Sequence, residues 1–187
     1  MIPGWNWDIT PWQVAFAPRI PPGGTYLEVG VFLGASLVKM GELRPDISLI
    51  AVDPWIDDPN PAAGWYGACE HAQVVAENGH SIWFAFLALM NKHAPDVLRR
   101  TRIVRGTAET VQLCELVDMC FIDGGHSYES VAADLTAFAP LVKRGGILAG
   151  HDYDESKPDH APLIRAVDEY LGHKPNVMGT VWWTEVP

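Results

Sequence analysis

The chain has 187 residues, 48% of them hydrophobic, which fits one globular domain able to bury most of the surface its unfolded form exposes and makes disorder an unneeded reading. Its 23 acidic and 13 basic residues give a formal charge of −10, which argues against a nucleic-acid partner, since a phosphate backbone is gripped by clustered Lys and Arg. The longest apolar run, Ile82–Met90, has nine residues, well short of the ~18 that a bilayer span requires, and residues 1–10 show no basic-then-apolar signal segment.

The first element in chain order is a short apolar strand, residues 25–30 (TYLEVG), followed by a helical pattern with Leu33, Leu37, Val38 and Met40 on one face, bracketed by Gly41 and Pro45. Residues 48–53 (SLIAVD) form a continuous apolar run closed by Asp53, the pattern of a buried parallel strand. Residues 54–80 lack clean periodicity and read as a long aromatic-rich excursion. Ser81 is placed to cap a helix over residues 82–93 that is apolar nearly all round at its start. Residues 101–105 and 117–123 are the third and fourth strands. A helix over residues 127–141 carries Val131, Leu135, Phe138 and Val142 on one stripe. Residues 146–152 (GILAGHD) make the fifth strand, and a helix spans residues 163–171. The tail, residues 180–185, alternates weakly and reads as an edge strand.

Strands alternating with helices predict an α/β fold built on an open parallel sheet. Ligands in such sheets bind beyond the carboxyl ends of the strands, and polar residues or glycines stand at all five ends: Glu28 and Gly30, Asp53, Gly106 and Thr107, Asp123, and His151 with Asp152. The first turn, Glu28-x-Gly30-x-x-x-Gly34-x-Ser36, offers a helix N-terminus to an anion such as a carboxylate. It is not the GxGxxG of dinucleotide folds, and a plain strand–helix turn is the alternative. Asp53, 23 residues after Gly30, is placed to accept hydrogen bonds from two ribose hydroxyls.

Asp123, His151 and Asp152 end neighbouring strands ~4.8 Å apart, so their side chains can converge on a divalent ion, Mg²⁺ or the softer Mn²⁺ or Zn²⁺. Helix-capping carboxylates and a solvated histidine are the competing explanation. His126 stands at the loop-to-helix junction, where an imidazole can act as general base or as a surface cap. Of the eight tryptophans, Trp55, Trp65, Trp83 and the three near the N-terminus are open to two readings, a substrate-pocket wall or core and dimer contacts. The three cysteines, Cys69, Cys114 and Cys120, show no paired spacing and are expected to be packing residues in a reducing cytoplasm.

With these residues in view, the chain resembles the class I S-adenosylmethionine-dependent methyltransferases, and within them the small-molecule O-methyltransferases of the macrocin and catechol type. The segments that carry the resemblance are YLEVGVFLGASL, AVDPW, IVRGTAETV, the block from DMCFIDGGHSYE to GGILAGHDY, and GTVWW. The resemblance implies a sheet of order 3-2-1-4-5-7-6 with the last strand antiparallel and helices on both faces. It implies one domain over residues 1–187, with an N-terminal cap in residues 1–24 and a variable insertion in residues 54–95. Glu28, Gly30, Gly34 and Ser36 would hold the methionine part of S-adenosylmethionine, Asp53 the ribose, and Thr107 and Ala108 the adenine, with Asp123 also at the cofactor. Asp123, His151 and Asp152 match the positions of a divalent metal, Mg²⁺ by analogy, and His126 or His151 would take the proton. His151 departs from the carboxylate usual at its position. The acceptor would be a hydroxyl of a small molecule, such as a sugar-bearing metabolite. Two rival readings are a nicotinamide-dependent oxidoreductase, disfavoured by the missing fingerprint, and a non-catalytic cofactor-binding module. The apolar helix from Ile82 leaves a homo-oligomer open.

Overall fold

A computed structural model describes residue 2, residues 9–57 and residues 70–187, except the side chain of Glu70. Its strands are β1 (Thr25–Val29), β2 (Ser48–Asp53), β3 (Thr101–Arg105), β4 (Val117–Ile122), β5 (Val142–Gly150), β6 (Asn176–Met178) and β7 (Val181–Glu185). They form a seven-stranded sheet of order β3-β2-β1-β4-β5-β7-β6. The first five are mutually parallel, and β7 runs antiparallel to both β5 and β6. The helices are α1 (Thr10–Phe16), α2 (Ala35–Leu43), α3 (Glu70–Glu77), α4 (Ile82–His93), α5 (Pro95–Arg99), α6 (Tyr128–Phe138) and α7 (Ala161–Leu171).

The two-residue alternation of the strands divides the core into two layers. Tyr26, Leu49, Ala51, Met119, Phe121, Ile147 and Ala149 face the layer built with α1 to α5. Leu27, Val29, Ile50, Val52, Cys120, Ile122 and Leu148 face the layer of α6 and α7. Sheet strands buried on both faces read as continuous apolar runs, which is why β1, β2 and β4 stood out. Ser81 and Ser127 cap α4 and α6, accepting the N–H groups of Phe84 and Ser130.

Four features differ from the sequence reading. The tail strand β7 is interior, not an edge; the short, exposed β6 takes the edge. α3 lies inside the aromatic-rich excursion, where no clean periodicity announced it. α1 and α5, seven and five residues long, are too short for a helical period to register, and each has a proline within its first two residues. The helix expected to run to Leu141 ends as α6 at Phe138 and continues as a 3₁₀ turn, Ala139–Leu141, around Pro140. No helix among the described residues is long and apolar enough to cross a membrane.

At the carboxyl edge the parallel ladders continue one step into the loops. The Gly30 N–H donates to Val52 O at 2.9 Å, Asp123 to Val29 O at 2.7 Å, Gly106 to Asp53 O at 3.0 Å and His151 to Ile122 O at 3.1 Å. Gly30 has φ +85°, and a β-carbon there would lie 2.1 Å from the Asp123 carbonyl oxygen. Gly30→Ala is therefore expected to cost more than about 3 kcal/mol. Gly145→Ala, at φ +76° with nothing within 4 Å, should cost only the backbone penalty of about 1–2 kcal/mol. Urea denaturation of the two variants checks the contrast; equal losses would mean that the loop can relax away from Asp123.

Candidate active site

The turn after β1 is braced from below by a buried carboxyl. Glu28 is 0% exposed; it accepts hydrogen bonds from the Tyr26 hydroxyl at 2.9 Å and the Ser36 hydroxyl at 2.5 Å. The strand period places Tyr26 and Glu28 on one face, and Ser36 comes down from the first turn of α2. Burial pushes the Glu28 pKa up to about 8, against the pull of the two hydroxyls. Gly34, at φ +89°, is the N-cap of α2, and no side chain caps that helix. The start of α2 thus lacks the usual Ser or Asp cap, as a helix that receives an anion should.

Asp53 organises the same turn from the side. Its Oδ2 accepts the Phe32 N–H at 2.8 Å and its Oδ1 the Trp55 N–H at 2.6 Å. Both donors have left-handed backbones, φ +52° at Phe32 and +41° at Trp55, and the Trp55 indole N–H closes the loop onto Phe32 O at 2.8 Å. Burial raises the Asp53 pKa, and the backbone donors pull it back in part. Val31 adds a third backbone donor, and a carboxylate with about four acceptor positions keeps room for a further one. Beyond β3, Thr107 N–H donates to the Thr110 hydroxyl at 2.9 Å, and Ala108 packs against the α6–α7 layer. The structure thus brings Glu28, Gly30, Gly34, Ser36 and Asp53 around one turn, with Thr107 and Ala108 one strand further out.

The ends of β4 and β5 converge. Asp123, His151 and Asp152 each present one donor atom, all within 4.8 Å of one another. His151 Nδ1 is 3.4 Å from Asp123 Oδ1 and 3.4 Å from Asp152 Oδ1. Its Nε2 is 2.9 Å from the Thr180 hydroxyl. Asp152 has φ +61°, and its Oδ2 is 2.9 Å from His126 Nε2. The His151 pKa rises well above the ordinary value: burial works against the charged ring, but the bonds to Asp123 and Asp152 outweigh it. Asp152 goes the other way, burial being outweighed by its bonds to His126 and His151. His126 is raised by Asp152. Donors with this spread suit a small dication, whose ligands at ~2.0–2.6 Å stand a few ångströms apart.

Three contributors escaped the sequence reading. Thr180, just before β7, fixes the His151 ring. His160, 5% exposed, points its Nε2 at Asp152 Oδ1 from 3.9 Å. Asp134, on the buried stripe of α6, places Oδ2 against Gly124, and burial together with Glu109 pushes its pKa up to about 7. Asp134 had a legible signal, a charge three residues after Val131 on an apolar face; Thr180 and His160 had none. The tryptophans divide. Trp12 and Trp55 are core, stacked on Phe16 at 5.0 Å and tilted over Phe86 at 4.7 Å. Trp83 is partly buried beneath the Arg105 guanidinium, and Trp5, Trp7 and Trp65 lie outside the described residues. Cys114 and Cys120 are free thiols; Cys69 is outside the described residues.

A parallel sheet with an antiparallel β7 inserted beside β5, a glycine turn opening α2 and an acid ending β2 together define the class I methyltransferase fold. Residues 27–153 match the family described as "Methyltransferase domain". That is more than half of the chain, and the chain belongs to this family and has the class I methyltransferase fold. The match sets the nicotinamide reading aside. A curated relative, uncharacterized protein R132 of Acanthamoeba polyphaga mimivirus, is 26% identical over 148 residues, 76% of this chain, and the chain spans 58% of that protein's length. Among solved structures, the O-methyltransferase NovP superposes with a TM-score of 0.64 at 17% identity, over 96% of this chain and 79% of NovP. CalS11, a TDP-rhamnose 3'-O-methyltransferase of calicheamicin biosynthesis, does so at 0.55 and 19% identity, over 95% and 76%. Both likenesses are of fold.

Glu28 carries a pH signature for the ligand-free protein. A carboxyl raised to about 8 makes the folded state hold one more proton than the unfolded state between about pH 4.5 and 8. Its contribution to stability is complete below that window and is lost as the pH climbs through it, at about 1.4 kcal/mol per pH unit at most. Glu28→Gln is expected to flatten the fall in urea midpoint between pH 5 and pH 8; parallel curves for variant and wild type would place the pH dependence elsewhere.

Proposed function

We propose that the chain transfers the methyl group of S-adenosylmethionine to a hydroxyl oxygen of a small molecule, with a divalent ion beside the acceptor. The carrying observation is the meeting of Asp123, His151 and Asp152 within 4.8 Å, at the ends of β4 and β5, beside the glycine turn that follows β1. The O-methyltransferase names of NovP and CalS11 support oxygen as the acceptor atom, and CalS11's substrate supports a sugar-bearing molecule among the candidates.

The residues divide the work by position. The α2 N-terminus would take the cofactor's carboxylate, and Asp53 the ribose hydroxyls. Thr107 and Ala108 would lie along the adenine. Asp123, His151 and Asp152 fit a divalent ion, which when bound lowers the pKa of a coordinated hydroxyl. Thr180 on Nε2 of His151 orients the ring so that Nδ1 faces the carboxylates, the outer support that metal-binding histidines usually have. His126, held by Asp152 at 2.9 Å, would accept the hydroxyl proton as base. The rest of catalysis is alignment: the sheet fixes both half-sites, so acceptor oxygen and methyl carbon can be brought to ~3 Å in line. Acceptor choice would rest with residues 1–24 and 54–95, and a second copy of the chain could complete the cover.

Calorimetry should show S-adenosylhomocysteine binding in the micromolar range or tighter; no binding would sink the reading. Asp53→Ala should weaken that binding about 10–100-fold through two lost charge-assisted hydrogen bonds. Asp123→Ala and Asp152→Ala should leave it largely intact while lowering methyl transfer to a panel of hydroxylated acceptors by at least about 100-fold. Full activity in both variants would remove the ion and base roles and leave the cofactor assignment standing.

A further inference from the structure

β3 is the outer strand of the sheet beyond β2, and it carries two exposed arginines with different surroundings. Arg102 forms an exposed ion pair with Glu115, a contact of the kind that contributes little. Arg105 stands directly opposite Asp53 in the β2–β3 register and turns its guanidinium onto the loop that follows Asp53. Its Nε donates to Pro54 O at 3.1 Å and its Nη2 to Trp55 O at 3.1 Å. The guanidinium carbon also lies 5.6 Å from the centre of the Trp83 ring, within cation–π range. A planar fork with donors in fixed directions suits two neighbouring carbonyls in a way that an ammonium does not.

The consequence reaches Asp53 through one rigid unit. The Pro54 C=O and the Trp55 N–H belong to the same planar trans peptide and point to opposite sides of it. That N–H is the donor that Asp53 Oδ1 accepts at 2.6 Å. Arg105 Nε, on one edge of the plane, therefore fixes the direction of the N–H on the other. Nη2, on Trp55 O, holds the next peptide as well. These bonds matter because Trp55 sits at φ +41°, a conformation that a bulky residue keeps only where its surroundings impose it. The indole is pinned separately, by its bond to Phe32 O at 2.8 Å and by the rings of Phe86 and Trp83, with centres 4.7 and 5.1 Å away. The peptide plane between Pro54 and Trp55 is held by Arg105 on one side and by Asp53 on the other.

We propose that Arg105 is a positioning residue for Asp53: through the Pro54–Trp55 peptide it holds the carboxylate in the orientation that meets a vicinal diol, and so sets the affinity for ligands that carry both ribose hydroxyls. The inference rests on the ribose-binding reading of Asp53. The role is exerted through the backbone and not by contact with the ligand. A carboxylate whose torsions are fixed before binding has less rotamer freedom to lose when the diol arrives, and that saving is what Arg105 supplies.

Calorimetry on the full chain with S-adenosylhomocysteine and its 2′,3′-dideoxy counterpart tests this. Wild type should prefer the parent compound about 10–100-fold, through the hydrogen bonds from the two hydroxyls to Asp53. Arg105→Ala and Arg105→Lys should each weaken S-adenosylhomocysteine about tenfold and leave the dideoxy compound within about twofold of wild type. The lysine variant keeps the charge over Trp83 and so guards against a general collapse of the loop, and the dideoxy affinity reports on the rest of the site. Arg102→Ala, on the same strand, should leave both affinities unchanged. In an Asp53→Ala background, Arg105→Ala should add less than about a twofold loss. A full preference for the parent compound in both Arg105 variants, equal weakening of the two compounds, or a full additive loss in the Asp53→Ala background overturns the role of Arg105. If wild type binds the two compounds equally, the ribose reading of Asp53 fails and this inference with it. If it binds neither, the cofactor reading itself fails.

Discussion

The molecule depends on the parallel ladder not stopping where its strands do. The first loop residue after each of β1, β3, β4 and β5 donates its N–H to a carbonyl at or next to the end of an adjacent strand: Gly30 to Val52, Gly106 to Asp53, Asp123 to Val29 and His151 to Ile122. Four loops that carry the site are thereby held in the register of the sheet. Parallel strands ~4.8 Å apart, extended in register, set the side chains that follow at the same spacing. The close approach of Gly30 to the Asp123 carbonyl joins the turn after β1 to the turn after β4. A side chain at position 30 would push the two half-sites apart, so the absence of a β-carbon there is a condition for their meeting.

The acids at this edge are not interchangeable charges. Glu28 is sealed under the turn and holds it through two hydroxyls. Asp53 spends one lone pair of each oxygen on the backbone of Phe32 and Trp55, two left-handed residues whose strain costs on the order of 1–3 kcal/mol each and persists because the carboxylate anchors both. Removing Asp53 would therefore loosen the turn as well as any ribose contact. Asp123 and Asp152, by contrast, are matched with imidazoles, and their charge is directed into a cavity. The net charge of −10 is thus partly a sum of local devices with separate tasks.

Much of the fold was legible because buried parallel strands advertise themselves. SLIAVD and VDMCFI read as strands, and Ser81 and Ser127 marked helix starts, since both signals are local. The interior position of β7 was not legible: TVWWTE alternates only weakly, and its neighbour β6 is three exposed residues that no pattern reveals. In the site, Asp123, His151 and Asp152 could be foreseen to meet because all three close adjacent strands. Thr180 arrives from the β6–β7 hairpin, brought back to β5 by the antiparallel return of the chain, and His160 from the turn between β5 and α7. Nothing in their local sequence encodes either approach.

This division has a chemical consequence. Elements up to β3 supply the turn, the acid and the helix terminus suited to a nucleoside cofactor, whereas the chain after β4 supplies every imidazole that faces Asp152. Asp152 itself sits at φ +61°, a conformation that aspartate tolerates better than most side chains and that here turns its carboxylate between His126, His151 and His160. An extended backbone at that position would carry the carboxylate along the strand and away from at least one of the rings. The strain at Asp152 is what lets one carboxylate meet His126 on one oxygen and His151 on the other. The nitrogen-rich surroundings of Asp152 are accordingly set by one backbone torsion and by histidines delivered after β4 and β5, and they can vary without disturbing the half of the sheet that carries the glycine turn and Asp53.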